Sequence, residues 1–219
     1  MVIRSRAPTR IDFAGGTTDL RAFRNAEVGA VINAAIMRYA YCALREVEGN
    51  GIRIASQDLG TFVEAADIRE LEYDGNLDLL KAAVRALELP GGLEITVRCD
   101  APPGSGMGSS ASVGVALLGL LAKLRQLRRA ERGTMMTRSE IAELACALED
   151  ELSIVGGKQD QYAAAAGGFS YMRFNGDSVA VESIEVPDAV LAELEKHLVL
   201  CYSGQSRLSG DTNQKMISA

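Results

Sequence analysis

Cysteine is sparse in this chain and carries no pattern. Cys42, Cys99, Cys146 and Cys201 show no CxxC spacing, which argues against bridges or metal ligands. Cys99 alternates with Val97 and Ile95, and Cys146 falls in a helical repeat, so core thiols in a reduced, cytoplasmic protein are expected. The lone His197, between Lys196 and Leu198, has no acid or metal-ligating neighbour in sequence and is read as a surface residue. A surplus of positive charge is lacking as well. The formal net charge of −6 weighs against a nucleic-acid partner, because phosphate backbones select basic surfaces. It does not weigh against a nucleotide site, where local dipoles and one or two cations suffice. The opening MVIRSRAPTRI lacks the apolar run of a signal peptide. No uninterrupted apolar stretch approaches the roughly 20 residues that cross a membrane; the best, Val113–Ala122, is about half as long. Internal repeats and low-complexity tracts are also missing.

What is present centres on DAPPGSGMGSSASVGVALLGLLA, residues 100–122. Two prolines stop a strand, three glycines open the backbone, and two serines start an apolar helix. Gly104, Gly106 and Gly108 can take positive φ and leave no side chain over their amides. Successive N–H groups can then line one concavity, with Ser109 or Ser110 at the positive end of the following helix. The same residues also fit a tight strand-to-helix connection with an ordinary serine cap. A P-loop is excluded, because no Gly-Lys-Ser/Thr follows the glycines. A dinucleotide fingerprint fits poorly, because the third glycine comes early and no acidic residue follows about 20 positions on.

Along the rest of the chain, Val2–Ala7 reads as a strand ended by Pro8. RIDFAGGTTDL (residues 10–20) is a polar turn. In it, Asp19 or Thr18 could cap a helix, or the carboxylate and hydroxyls could meet a polyol beside the fixed charge of Arg10. Val28–Ala35 and Met37–Glu48 are β-rich, and Gly49-Asn50-Gly51 before Ile52-Arg53-Ile54 predicts a hairpin. Leu77–Leu89 has helical spacing with Asn76 as its expected cap, and Leu93–Cys99 alternates as a strand. Arg125–Arg138 is basic and read as a solvated connection. Thr137-Arg138-Ser139-Glu140 is a capping box opening a helix with Ile141, Leu144, Ala145 and Leu148 inward. At about 100° per residue, Glu149 and Glu151 both flank that apolar stripe, so geometry leaves either one free to reach a site. Asp160, in GGKQDQY, is either a helix cap or a base beside Lys158. Phe169–Phe174 and Ser178–Val186 predict a second hairpin, Asp188–Lys196 a helix, Leu198–Tyr202 a strand, and Asp211 onward another helix. On its own the pattern indicates α+β.

Three segments together resemble the GHMP kinase family, the small-molecule kinases that include galactokinase, homoserine kinase and mevalonate kinase. RAPTRIDFAGGTTDL (6–20) resembles the family's first motif. PPGSGMGSSAS (102–112) matches its phosphate-binding motif, and Glu149 followed by Asp160 resembles its acidic pair. Within the family the chain is most similar to sugar kinases that phosphorylate an anomeric hydroxyl, those acting on a heptose phosphate before the fucokinase type. The resemblance implies an N-terminal domain like the second domain of ribosomal protein S5 over residues 1–186. It implies that 187–219 begin a C-terminal domain that is largely missing, since nothing here matches the family's third glycine-rich motif; weak turnover of such a fragment is expected. It implies ATP held by Pro103, Gly104, Ser105, Gly106, Met107, Gly108, Ser109 and Ser110, and Mg²⁺ held by Ser110 and Glu149. Asp160 is implied as base and Arg10 as its electrostatic partner. Thr17, Thr18, Asp19 and Arg207 are implied to contact a sugar or sugar phosphate. The family also contains sugar and ATP sensors without catalysis, which would not need the intact set Arg10, Glu149 and Asp160.

Overall fold

The computed structural model describes residues 1–129, 135–201, 204–206 and 209–218. The elements in order are β1 (Val2–Ala14), α1 (Arg21–Arg24), β2 (Gly29–Glu46), β3 (Ile52–Ser56), β4 (Thr61–Ala65), α2 (Asp78–Ala86) and β5 (Leu93–Cys99). They continue with α3 (Ser109–Arg129), α4 (Arg138–Glu151), α5 (Gln159–Ala166), β6 (Phe169–Asn175), β7 (Ser178–Ile184), α6 (Asp188–His197) and α7 (Ser209–Ile217). Seven strands form one mixed sheet in the order β4-β3-β5-β2-β6-β7, with β1 on the other edge of β2. The long strand β2 organises it. Its C-terminal half, from Ala40 to Glu46, pairs with β5, and its N-terminal half, from Gly29 to Ala34, pairs with β6.

Four local expectations are not met, most of them because longer-range packing decides. The strand does not end at Pro8: β1 runs to Ala14, with a register shift between Pro8 and Thr9. Proline is tolerated at such an irregularity because it has no ladder N–H to lose there. The hairpin expected at Gly49–Gly51 does not form. β5 occupies the edge of β2, and β3 pairs in parallel with β5, from Ile52↔Leu93 to Ser56↔Val97. Leu93, Ile95 and Val97 are almost wholly buried, so β5 gains more from a central place than a local turn can offset. β3 instead makes a hairpin with β4, and the crossover to β5 carries α2.

Asn76 does not cap α2. Leu77 takes that place at φ +57°, and the Asp78 carboxylate accepts the N–H groups of Asp74 and Gly75 at 3.1 and 2.8 Å. The cause is Lys81, fully buried on α2, whose ammonium draws Asp74, Asp78 and the Glu72 carbonyl around it. Residues 198–201 form no strand; Val199 is 88% exposed. The second hairpin, β6–β7, and the capping box hold: Thr137 Oγ1 accepts the Glu140 N–H, and Glu140 Oε2 accepts the Thr137 N–H at 2.7 Å.

Helices α2 to α5 bury one face of the sheet. α3 is long and apolar enough to cross a membrane by length and composition, but it is the core helix of this fold. Leu117, Leu118, Leu120, Leu121 and Leu124 on it pack with Leu44, Ile54, Ile95 and the apolar side of α2. Such burial is worth about 1.5–3 kcal/mol for each large side chain, which holds the start of α3 at a fixed place above β1. All four cysteines are free; Cys42 and Cys146 are buried, and Cys201 is exposed.

Candidate active site

The glycine loop folds as its composition requires. Gly104, Gly106 and Gly108 have φ of +71°, +78° and +71°. Met107 between them is buried and anchors the loop from below. The loop ends at Ser109, where the first N–H groups of α3 have no intrahelical acceptor. Ser110 is exposed there, and Ser105 Oγ is buried with no partner among the described residues. Ser112, one turn into α3, donates its hydroxyl to the carbonyls of Pro8 and Gly108, at 2.7 and 2.9 Å. That bond staples the helix start to β1.

Arg10 links the loop to the acid. Its backbone N–H donates to Met107 O at 3.1 Å, its Nη1 donates to Gly106 O at 2.7 Å, and its Nη2 lies 2.5 Å from Asp160 Oδ1. Asp160 sits in the first turn of α5. It does not cap that helix, whose N-cap is Lys158 with no side-chain bond. A Cβ on Gly108 would lie 3.1 Å from Asp160 Oδ2, so the loop and the carboxylate are in close contact. Lys158 turns away: it is buried and pairs with Glu143 Oε1 at 2.7 Å.

Glu149 and Glu151, left open by helix geometry, part company here. Glu151 is exposed and accepts the Tyr73 hydroxyl, and Asp150 pairs with Arg21 at the surface. Glu149 is buried. Burial, reinforced by the Asp160 charge and opposed by the Gln161 side chain, pushes its pKa up to about 7. Asp19 is only 2% exposed and lies beneath the site. It accepts the Gln159 N–H at 2.9 Å and so caps α5 across the fold rather than α1 beside it. Burial pushes it up to about 6 against that bond, and Asp160 adds to the rise. A Cβ on Gly157 would stand 1.8 Å from Asp19 Oδ2, so only glycine allows this approach. Thr18 closes on Ala30, donating to its carbonyl and accepting its N–H. Thr17 is exposed near Met216 of α7. Arg207 lies outside the described residues.

The sequence patterns did not single out Asp12, Gln159, Gln161 or Ser112. Asp12 had a signal, since alternation along β1 sets residues 10 and 12 on one face. The glutamines flank Asp160 on α5, and Gln159 bonds to a carboxylate distant in sequence, which no local pattern reveals. In sum, Arg10 pairs with Asp160, and the charge of Asp160 acts on Asp12, Asp19 and Glu149 in turn. Such an excess of carboxylate repels a bare polyphosphate and suits one that arrives with a divalent cation.

A strand-delivered glycine cradle at a helix start, with an arginine and a carboxylate packed against it, is a layout suited to holding a phosphate group. Residues 78–168 match the GHMP kinases N terminal domain. The chain is similar, at 33% identity over 97% of its length, to the D-glycero-alpha-D-manno-heptose 7-phosphate kinase of Campylobacter jejuni, of which it spans 62%. A D-glycero-D-manno-heptose 1-phosphate kinase structure from Bacteroides thetaiotaomicron superposes with a TM-score of 0.79 at 34% identity, covering 89% of this chain and 63% of that one. The galactokinase of Lactococcus lactis shares the fold alone, at 20% identity and a TM-score of 0.62 over 85% of this chain and 48% of that one.

Proposed function

We propose that this chain forms the catalytic part of an ATP-dependent sugar kinase. The acceptor is the anomeric hydroxyl of a heptose 7-phosphate, ahead of fucose or galactose. The observation that carries the reading is the Arg10–Asp160 pair laid directly against Gly106 and Gly108. The 33% identity to a heptose 7-phosphate kinase supports the choice of sugar.

Phosphoryl transfer asks the protein for in-line positioning and charge neutralisation more than for covalent work. The amides from Gly104 to Ser110, with Pro103, Ser105, Met107 and Ser109 shaping the loop, hold the triphosphate. Asp160 accepts the proton of the sugar hydroxyl. Arg10, always charged, steadies the alkoxide that develops and keeps Asp160 aimed. Thr17 contacts the sugar at the rim, while Thr18 and Asp19 fix the floor of its pocket through Ala30 and Gln159; Arg207 meets the sugar phosphate. Mg²⁺ fits the oxygen donors present, Ser110 and Glu149, and burial leaves the Glu149 carboxylate in need of a cation. When bound, the ion neutralises charge on the transferred phosphate.

Arg10→Ala and Asp160→Asn test the proposal. Each is expected to lower turnover by about two orders of magnitude or more while ATP affinity, measured by calorimetry, changes little. Near-wild-type turnover in both variants rules the mechanism out.

A further inference from the structure

Helices α2 to α5 take one face of the sheet, and the other face carries its own chemistry. Ala7, Cys42, Leu44, Ile95 and Val97 join the core against those helices, so by strand alternation Arg4, Arg6, Tyr41, Ala43, Thr96 and Arg98 stand on the opposite side. Strand pairing sets them in two rows across β1, β2 and β5. Arg4, Ala43 and Thr96 form one, and Arg6, Tyr41 and Arg98 form the next. The short side chains of Ala43 and Thr96 lie between long ones and leave a hollow of about 330 Å³. Its walls are Arg4, Tyr41 and Arg98, with Gln57 just past the end of β3. That volume falls within the range of small-molecule sites.

Charge and order set the hollow apart. Its lining holds two guanidinium groups and no carboxylate, in a chain of net charge −6. Across the rest of this face arginines are matched to acids, Arg45 to Glu94 and Arg53 to Glu64. Arg98 gives Nη1 to Asp100 at 2.9 Å, which leaves most of its five N–H donors open. Arg4 and its neighbour Arg6 have no acidic partner among the described residues. Two tyrosines fix the cations: Arg98 Cζ lies 4.1 Å from the centre of the Tyr41 ring, and Arg6 Cζ lies 4.6 Å from that of Tyr39. The rings themselves are 6.0 Å apart. A guanidinium stacked by its face keeps its N–H edge for a further partner and loses less freedom when that partner binds. Forked donors on two sides of a small-residue floor suit the oxygens of a phosphate group. The Thr96 hydroxyl and the Gln57 side-chain amide, both unengaged among the described residues, can give and accept hydrogen bonds with hydroxyls beside it.

We propose that this hollow is a second binding site, for a small phosphomonoester that carries hydroxyl groups. Arg4 and Arg98 hold the phosphate, and Thr96 and Gln57 meet the hydroxyls. The site shares no residue with the glycine cradle or with the Arg10–Asp160 pair, so it goes beyond the kinase reading and does not depend on it.

The experiment is amide NMR of the full chain, with glycerol 3-phosphate as the probe and inorganic phosphate and glycerol as comparisons, all at constant ionic strength. Glycerol 3-phosphate is expected to shift residues 4–6, 41–43 and 96–98 saturably, to bind there more tightly than inorganic phosphate, and to do so where glycerol has no effect. Arg4→Ala weakens that binding about 10-fold. Arg4→Lys, which keeps the charge and loses the fork, restores only part of it. A non-hydrolysable ATP analogue, read at residues 104–110, binds wild type and Arg4→Ala alike, which shows that the variant is folded and that the two sites are separate. Shifts confined to residues 104–110, binding no tighter than that of inorganic phosphate, or equal affinity in wild type and Arg4→Ala each overturn the proposal and leave the kinase reading untouched.

Discussion

Glu149 shows how a buried carboxylate opposes stability. Its pKa of about 7 in the folded chain stands above the ordinary 4.5, and its largest cause is burial. A raised carboxyl pKa means that the folded state holds the proton more tightly than the unfolded state does. Between pH 4.5 and about 7 the folded form therefore binds more protons at this site, and stability falls as pH rises. Asp19 adds the same sign between pH 3.8 and about 6. In metal-free protein, Glu149→Gln should raise stability at pH 7.5 by on the order of 1–3 kcal/mol and flatten the melting temperature between pH 5 and 7.5. It should also remove stabilisation by Mg²⁺ with nucleotide, a trade of function against stability. Thermal melts across pH in chelator, repeated with Mg²⁺ and ATP analogue, measure both. A variant no more stable than wild type at pH 7.5 contradicts the assignment of Glu149 as an uncompensated buried charge.

At the scale of elements, the glycine loop offers a matched pair of substitutions. Gly106 and Gly108 have nearly equal positive φ, so alanine at either costs a similar backbone strain of about 1–2 kcal/mol. Their surroundings differ. A Cβ on Gly106 meets nothing within 4 Å, whereas on Gly108 it presses on the Oδ2, Cγ and Cβ of Asp160 at 3.1–3.3 Å. Gly108→Ala is therefore expected to lose at least about tenfold more kcat than Gly106→Ala at comparable melting temperature. Equal kcat in the two variants refutes the contact as a catalytic one. The loop was legible in the sequence because only glycine allows positive φ so freely, and alternate glycines state the backbone conformation themselves. The capping box was legible for the same reason, since both partners lie within one turn. The pairing of β3 with β5 was not: Ile52–Ile54 looks the same whichever strand it meets, and only the burial of β5 decides.

For the whole molecule, the segments that come together were more legible than the topology. Arg10, Glu149 and Asp160 stand in three separate segments, and the family resemblance named them before any fold was known. Physical reading of the helix alone could not choose Glu149 over Glu151, because both flank the apolar stripe. The structure separates the two by burial, with Glu149 inside and Glu151 at the surface. Nor could sequence show that Asp19 spends its carboxylate on an amide 140 residues away, which leaves Asp12 as the exposed acid of the first motif. The sheet explains why these segments meet. β2 holds β1 along one edge, Ser112 ties α3 to β1 at Pro8, and α5 packs on the same side, so cradle, guanidinium and carboxylate converge over the end of β1.

The central claim is that this site moves the γ-phosphate of ATP to a sugar hydroxyl. Phosphorus NMR of the complete gene product with ATP, Mg²⁺ and heptose 7-phosphate tests it most directly, with the Asp160→Asn variant alongside. A new anomeric phosphate resonance is expected to grow in step with ADP in the wild type and to be slowed at least about a hundredfold in the variant. Bound ATP and bound sugar with no phosphorylated sugar formed, or equal rates in the two proteins, would contradict it.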